Sequence, residues 1–180
     1  MTISVRLAKP EDAASLALVG AATFLESYAG VIDGAGLVRH CQEKQTEAVY
    51  AAAVADPAQR IWLAELDGAP VGYLHLTAPD LPVPVSAGDL EIKRIYVLSR
   101  MHGTGLGRGL LECAEDHARG AGAKSLLLGV YKENRKALGF YGRVGFETVG
   151  EREFDVGGVI YQDWVLGKPV SASTGEGDPA

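Results

Sequence analysis

Val97-Leu98-Ser99-Arg100-Met101-His102-Gly103-Thr104-Gly105-Leu106-Gly107-Arg108-Gly109-Leu110-Leu111 is the stretch that decides how the chain folds. A β-branched strand stops at a glycine cluster that opens directly into an apolar-periodic helix. Glycines let the backbone approach a ligand without Cβ obstruction, and the first helical turn leaves N–H groups unpaired and carries partial positive charge. A pyrophosphate suits such a junction. A Walker loop is excluded by spacing, because the Gly167-Lys168 pair lacks the upstream glycine. The dinucleotide pattern G-x-G-x-x-G fails as well: it would need glycine at Arg108 or at Leu110.

The stretch resembles the Gln/Arg-x-x-Gly-x-Gly/Ala pattern of the GNAT superfamily of acyl-CoA-dependent N-acyltransferases. Two registers are open, Arg100-x-x-Gly103-x-Gly105 and His102-x-x-Gly105-x-Gly107. The second is preferred because it sets Leu110 and Leu111 where that family carries a Leu-Leu pair, with His102 in place of the usual Gln or Arg. A second block, Asn134-Arg135-Lys136-Ala137-Leu138-Gly139-Phe140-Tyr141-Gly142-Arg143-Val144-Gly145-Phe146, is similar to the family's Asn-x-x-Ala-x-x-Phe-Tyr-x-x-x-Gly-Phe. Asn134 reads as a helix N-cap and Gly145 as the helix stop. Phe140 reads as a core aromatic and Tyr141 as a functional residue.

The 180-residue length and 47% hydrophobic content fit one domain with one core. Cys41 and Cys113 form no Cys-x-x-Cys, and the four histidines show no metal-ligand spacing, so no metal is expected. The N-terminus lacks an export signal, which gives a cytoplasmic expectation. A net charge of −6 argues against a nucleic-acid surface and is compatible with a cationic acceptor. No membrane association is expected.

Apolar patterning predicts strands at 3–8, 60–66, 71–76, 89–98, 125–131, 147–154 and 159–166. Helices are expected from Pro10 to about Tyr28, near Gly36 to Ala55, from the glycine loop to about Gly120, and from Arg135. Asp67-Gly68 signals a hairpin, and Thr77 to Gly88, with three prolines, is a loop. The tail 168–180 has almost nothing to bury and reads as disordered, leaving one domain over 1–167. This order resembles the GNAT fold, an α/β architecture: a mixed, mostly antiparallel seven-stranded sheet flanked by about four helices. The fourth and fifth strands are expected to splay and admit the pantetheine arm.

Leu90 to Val97, Leu128 to Asn134 and Ala22 to Tyr28 together look like the bacterial spermidine/spermine N-acetyltransferase branch. The resemblance implies acetyl-CoA as donor and a small-molecule amine, such as a polyamine, as acceptor. The amine attacks the thioester directly in a ternary complex. A lysine-like amine, pKa about 10.4, is neutral only about one part in a thousand near pH 7.4, so deprotonation costs about 4 kcal/mol. Glu91 is the candidate base, assigned by the two-residue strand period to one face with Lys93, Ile95 and Val97; a solvated strand carboxylate is the alternative. Tyr141 is the candidate acid for the leaving coenzyme A sulfur.

For the cofactor, backbone groups of Ile95, Tyr96 and Val97 are expected to pair with the pantetheine amides. Those of His102, Gly103, Thr104, Gly105, Leu106, Gly107 and Arg108 are expected around the pyrophosphate. Arg108 either adds its guanidinium or is an exposed helix charge, and Asn134 either contacts the cofactor or only caps its helix. Tyr131, Lys132 and Glu133 read as loop residues. Glu26, Tyr28 and Asp33 are negative and aromatic groups suited to a cation, or else an ordinary surface face. Two alternatives remain, a protein or peptide N-acetyltransferase and a non-catalytic acyl-CoA-binding module; the final strands also offer a homodimer surface.

Overall fold

The computed structural model describes residues 2–156 and 158–170. Strand β1 (Ile3–Leu7) leads through a 3₁₀ turn (Pro10–Asp12) into α1 (Ala13–Tyr28), followed by α2 (Gly34–Lys44) and α3 (Glu47–Ala55). Next come β2 (Arg60–Leu66), β3 (Ala69–Thr77) and β4 (Leu90–Val97), a second 3₁₀ turn (Ser99–Met101) and α4 (Leu106–Gly120). The chain continues with β5 (Ser125–Tyr131), α5 (Arg135–Arg143), β6 (Glu147–Val156) and β7 (Val159–Pro169). The seven strands form one sheet in the order β1-β2-β3-β4-β5-β7-β6, antiparallel throughout except for the parallel β4–β5 pair.

Alternation along the central strands fills two layers. Trp62 and Ala64 of β2 and Leu74 and Leu76 of β3 pack with Leu106, Leu110, Leu111, Ala114 and Ala118 of α4. Ile61, Leu63 and Tyr73 point the other way, onto Ala13, Leu16 and Val19 of α1 and Tyr50 and Ala53 of α3. Because both faces are covered, β3 reads as a near-continuous apolar run from Val71 to Leu76, broken by Gly72 and a buried His75.

The single helical stretch expected over 36–55 is two helices, giving five α-helices in place of about four. Gln45 leaves the helical region at φ −114° and ψ 46°, and the Thr46 hydroxyl then caps α3 by accepting from the Val49 amide at 3.3 Å. Strand β7 runs three residues past its expected end at Leu166 and into the stretch expected to be disordered from Lys168, because Lys168 and Pro169 still pair with Leu126 and Ser125. Residues 171–180 of the expected tail lie outside the described residues.

Strands β4 and β5 pair only at Leu90 with Leu126 and Glu91 with Leu127, then part. The rest of β4, Ile92 to Val97, is hydrogen-bonded to β3 alone and turns a free edge toward β5. The divergence coincides with a bulge: Leu76 faces Ile92 whereas His75 faces Arg94, so Lys93 is an extra residue on β4.

Candidate functional site

The glycine loop joins the end of the splayed β4 to α4. Gly103 and Gly105 take φ of +82° and +85°, in the left-handed region that L side chains avoid. Gly105 is the N-cap of α4, and the first carbonyl to accept a helical bond is its own, from the Gly109 amide at 3.0 Å. The amides of Leu106, Gly107 and Arg108 therefore have no helical carbonyl behind them and point out of the N-terminus. Gly107 has an ordinary φ and room for a Cβ, the nearest atom being Phe140 Cζ at 4.0 Å. A pattern that requires glycine at its first position but tolerates alanine at its second thus fits His102-x-x-Gly105-x-Gly107, since Gly105 cannot be replaced without strain and Gly107 can.

Side chains around the loop are mostly committed to structure. His102 Nε2 lies 3.0 Å from the Val97 carbonyl and Nδ1 lies 2.6 Å from Lys136 Nζ, tying the end of β4 to α5. Lys136 is an exposed cation beside the loop that sequence reading did not single out. Arg108 spends its Nε on Glu112 one turn on, at 2.8 Å. Asn134 caps α5, its Oδ1 accepting from the Ala137 amide at 3.1 Å. The Thr104 hydroxyl donates to the Met101 carbonyl at 2.7 Å. What the loop presents to a ligand is therefore backbone.

Tyr141 sits on α5 with its ring packed edge-on against Phe140 and Phe146. Its hydroxyl makes no hydrogen bond among the described residues, yet it is not one of the sealed atoms without partners, which are His75 Nδ1 and Asp89 Oδ1. It is a donor with nothing to donate to. Burial, followed by the nearby Tyr28 phenol, raises its pKa above the ordinary phenol value. Tyr28 and Tyr96 place their hydroxyls 3.4 Å apart, so phenols from α1, β4 and α5 gather at the splay.

Glu91 departs from its expected place. The bulge at Lys93 reverses the alternation: Ile92, Ile95 and Val97 all pack toward α4, while Glu91, Arg94 and Tyr96 share the opposite face. Glu91 therefore does not share a face with Ile95 and Val97, contrary to the strict two-residue alternation. Nor is Glu91 a solvated carboxylate, being 1% exposed. Its Oε2 accepts from the Asp80 amide at 2.7 Å and its Oε1 is 3.8 Å from Lys93 Nζ. It does not line the cavity described next, whereas Lys93 does.

That cavity, about 340 Å³, opens on the α1–α2 side of the splay. Its aromatic walls include Phe24, Tyr28, Tyr96, Phe154 and Tyr161, and its charged lining comprises Lys44, Lys93, Arg94, Arg152, Asp155 and Asp163. Arg152 reaches over β5 only because residue 129 is glycine: a Cβ there would lie 2.5 Å from the guanidinium. It pairs with Asp163 at 3.0 Å, which offsets the upward push of burial on that carboxyl. His40 stacks on Phe24 with ring centroids 4.1 Å apart. Burial, Arg94 and Lys44 lower its pKa to about 4, so its ring is neutral at pH 7.

Of the acceptor-side candidates, Tyr28 lines the cavity, as does Tyr131. Glu26 instead holds the turn after β4, accepting from the Ser99 amide and hydroxyl at 2.8 and 3.0 Å, and Asp33 caps α2. Arg94 and Arg152 were missed. The signal for Arg94 was the Lys93-Arg94 pair, two charges in succession within a strand, which is how a bulge shows itself in sequence.

Residues 25–146 match the family described as Acetyltransferase (GNAT) family. An uncharacterized N-acetyltransferase of Mycobacterium tuberculosis is 31% identical over 155 residues, covering 86% of this chain and 96% of that protein. The crystal structure of PaiA N-acetyltransferase from Thermoplasma acidophilum in complex with coenzyme A superposes with a TM-score of 0.77 at 21% identity, over 94% of this chain and 99% of that one. A GNAT-family acetyltransferase from Streptococcus pneumoniae gives 0.72 at 26% identity, over 94% of this chain and 100% of that one.

Proposed function

This chain belongs to the acetyltransferase (GNAT) family, and from that premise we propose that it transfers the acetyl group of acetyl-CoA to a primary amine on a small molecule, by direct attack in a ternary complex. The observation that carries the reading is the free edge of β4 over Ile92 to Val97, with the amides of the glycine loop at one end and the cavity alongside. Pantetheine is a chain of amides, and it would hydrogen-bond to Ile95, Tyr96 and Val97 as an added strand does. The pyrophosphate would rest on the loop and the start of α4, from His102 to Arg108. Asn134 already caps α5, which leaves its amide nitrogen free to meet the cofactor.

Chemistry then falls at the throat between the strands. Attack by the amine forms the new C–N bond, and collapse of the tetrahedral adduct breaks the C–S bond. A β4 amide hydrogen-bonds the oxyanion, and Tyr141 donates to the departing sulfur. The ammonium must first lose a proton to solvent, and the adduct nitrogen loses a second as the amide forms, balancing the one Tyr141 gives to the sulfur. Lys93 favours the first loss, because neighbouring positive charge disfavours the protonated amine. Glu91 acts on this step through Lys93, whose ammonium it holds.

A turnover screen with acetyl-CoA against polyamines, aminoglycosides, amino acids and peptides, scored by free thiol release, tests the reading. Acetyl-CoA binding with amine-dependent thiol release supports it. Binding without turnover of any amine would point to a cofactor-binding module, and turnover confined to peptides to a protein acetyltransferase.

A further inference from the structure

We propose that the acceptor is a small amine that also carries an oxyanion, a carboxylate or a phosphonate, and that Arg94 is the group that receives the anion in the cavity beside β4. The inference rests on the acetyltransferase reading and deepens it by naming the class of amine.

The sign of the cavity is the first observation. A chain of net charge −6 gathers four cations, Lys44, Lys93, Arg94 and Arg152, around one 340 Å³ space against two carboxylates. Asp163 is engaged by Arg152 at 3.0 Å and Lys93 is held from behind by Glu91 at 3.8 Å, which leaves Lys44 and Arg94 as the lining cations without an acid among the described residues. The other carboxylate, Asp155, is exposed and accepts from the Gly158 amide of its own turn at 2.9 Å. A polyamine would bring two or more further positive charges into this lining without a free acid to meet them.

The second observation is the state of Arg94. Its guanidinium is half-buried and forms no ion pair among the described residues; its contacts are the Tyr50 ring, 5.6 Å from the centroid, and the Tyr50 hydroxyl at 3.4 Å. Arg6, Arg108, Arg119 and Arg152 each have a carboxylate within 3.0 Å, and of the others without one Arg39, Arg100, Arg135 and Arg143 are exposed while Arg60 donates to the Pro57 and Gln59 carbonyls. A guanidinium withdrawn from water without a counter-charge is a receptor for a planar or tetrahedral oxyanion, which it binds through two parallel N–H groups. The bulge at Lys93 is what turns Arg94, together with Tyr96 two residues on, to the cavity face of the sheet, at the splay where the thioester would lie. Arg94 helps to lower the pKa of both His40 and His75.

The remaining lining sets the body of the acceptor. Phe24, Tyr28 and Phe154 present ring surface to the cavity, which suits an apolar or aromatic side chain between amine and solvent.

The test uses the full chain, acetyl-CoA and matched pairs: phenylalanine with phenethylamine, leucine with isoamylamine, and 1-aminoethylphosphonate with ethylamine, plus spermidine. The acid-bearing member of at least one pair should exceed its partner in kcat/KM by roughly 30- to 100-fold, the worth of a charge-assisted bidentate contact. The carboxylate and phosphonate arms distinguish the two oxyanions. Arg94→Gln should collapse the ratio toward one, mainly through acceptor KM, while Arg94→Lys restores part of it; acetyl-CoA affinity by calorimetry reports on folding and on the cofactor half. Equal or better turnover of the acid-free amines or of spermidine overturns the proposal, as does failure to turn over any acid-bearing member by protein that binds acetyl-CoA. Failure to bind acetyl-CoA overturns the acetyltransferase reading itself.

Discussion

Glu91 Oε1 lies 3.8 Å from Lys93 Nζ, and it is the lysine, not the carboxylate, that faces the cavity. Glu91→Gln keeps the shape and the bond from the Asp80 amide but releases Lys93. The rate should fall about tenfold at pH 7 and recover as pH rises, since a displaced Lys93 no longer favours the neutral amine and at high pH more acceptor is neutral anyway; Lys93→Met should show the same profile. A pH-dependent deficit in Glu91→Gln beside a wild-type profile in Lys93→Met would identify the carboxylate as the base.

Tyr141→Phe removes a hydroxyl that has no partner among the described residues, so thermal stability and acetyl-CoA affinity should change little. A positioned acid contributes roughly 10²- to 10⁴-fold to the rate. The lower end is expected here. Burial holds this phenol above the ordinary value of about 10, whereas a thiol titrates near 8.5, so full transfer to the sulfur is uphill by at least about 2 kcal/mol. A hydrogen bond to the developing thiolate is then the larger part of its action. Turnover equal to wild type, measured where chemistry limits the rate, would reduce Tyr141 to a packing residue.

Gly105→Val places a β-branched residue at φ +85°. The left-handed conformation costs such a residue about 1–2 kcal/mol or more, and the branched side chain would stand where a phosphate must approach. Acetyl-CoA should bind at least tenfold more weakly in calorimetry. Gly107→Ala, with ordinary φ and an open Cβ position, should bind within about twofold of wild type. Equal weakening by the two substitutions would show that the loop reads glycine for a reason other than backbone conformation.

Stability should fall as the solution is acidified below about pH 6.5. His75 is 6% exposed, with one ring nitrogen 2.6 Å from Gln59 Oε1 and the other unpartnered, and burial with Arg94 and Lys93 lowers its pKa to about 4. Between pH 6.5 and 4 the unfolded chain takes up a proton that the folded chain refuses. The stabilisation is whole above the unfolded value and is lost on acidification, on the order of 3 kcal/mol if the shift is fully expressed. His40 adds to the slope with the same sign, less strongly because it is only half-buried. Denaturant titrations of wild type and His75→Phe across this range should show the shallower slope in the variant; identical slopes would mean that His75 takes up its proton as readily folded as unfolded.

Much of the frame was legible because it rests on local chemistry. Strands 60–66 and 125–131 are apolar runs bounded by turn residues, and the structure reproduces their ends. Asn134 marks a helix start through capping and Gly105 through a left-handed turn, both of which act within a few residues. The break at Gln45 was not legible, since Thr46 capping α3 competes with an otherwise helical pattern. Strict alternation misassigned Glu91 because one inserted residue inverts every face beyond it. The sign of the cavity was hidden most deeply. Its cations come from α2, β4 and β6 and meet only in the folded molecule, so the net acidity of the chain pointed toward a cationic acceptor while the cavity carries the opposite charge.

The two-residue contact between β4 and β5 leaves the sheet as two half-sheets, β1 to β4 and β5, β7, β6, with few main-chain bonds across the seam. A cofactor seated in the gap is then a mortar as much as a reagent, since it gives each half the partners the other withholds. Ligand that binds only the closed seam adds RT ln(1 + [L]/Kd), about 2.7 kcal/mol at a hundredfold excess over Kd. The lifetime of the folded chain against heat or protease is in this way tied to the supply of its own acyl donor.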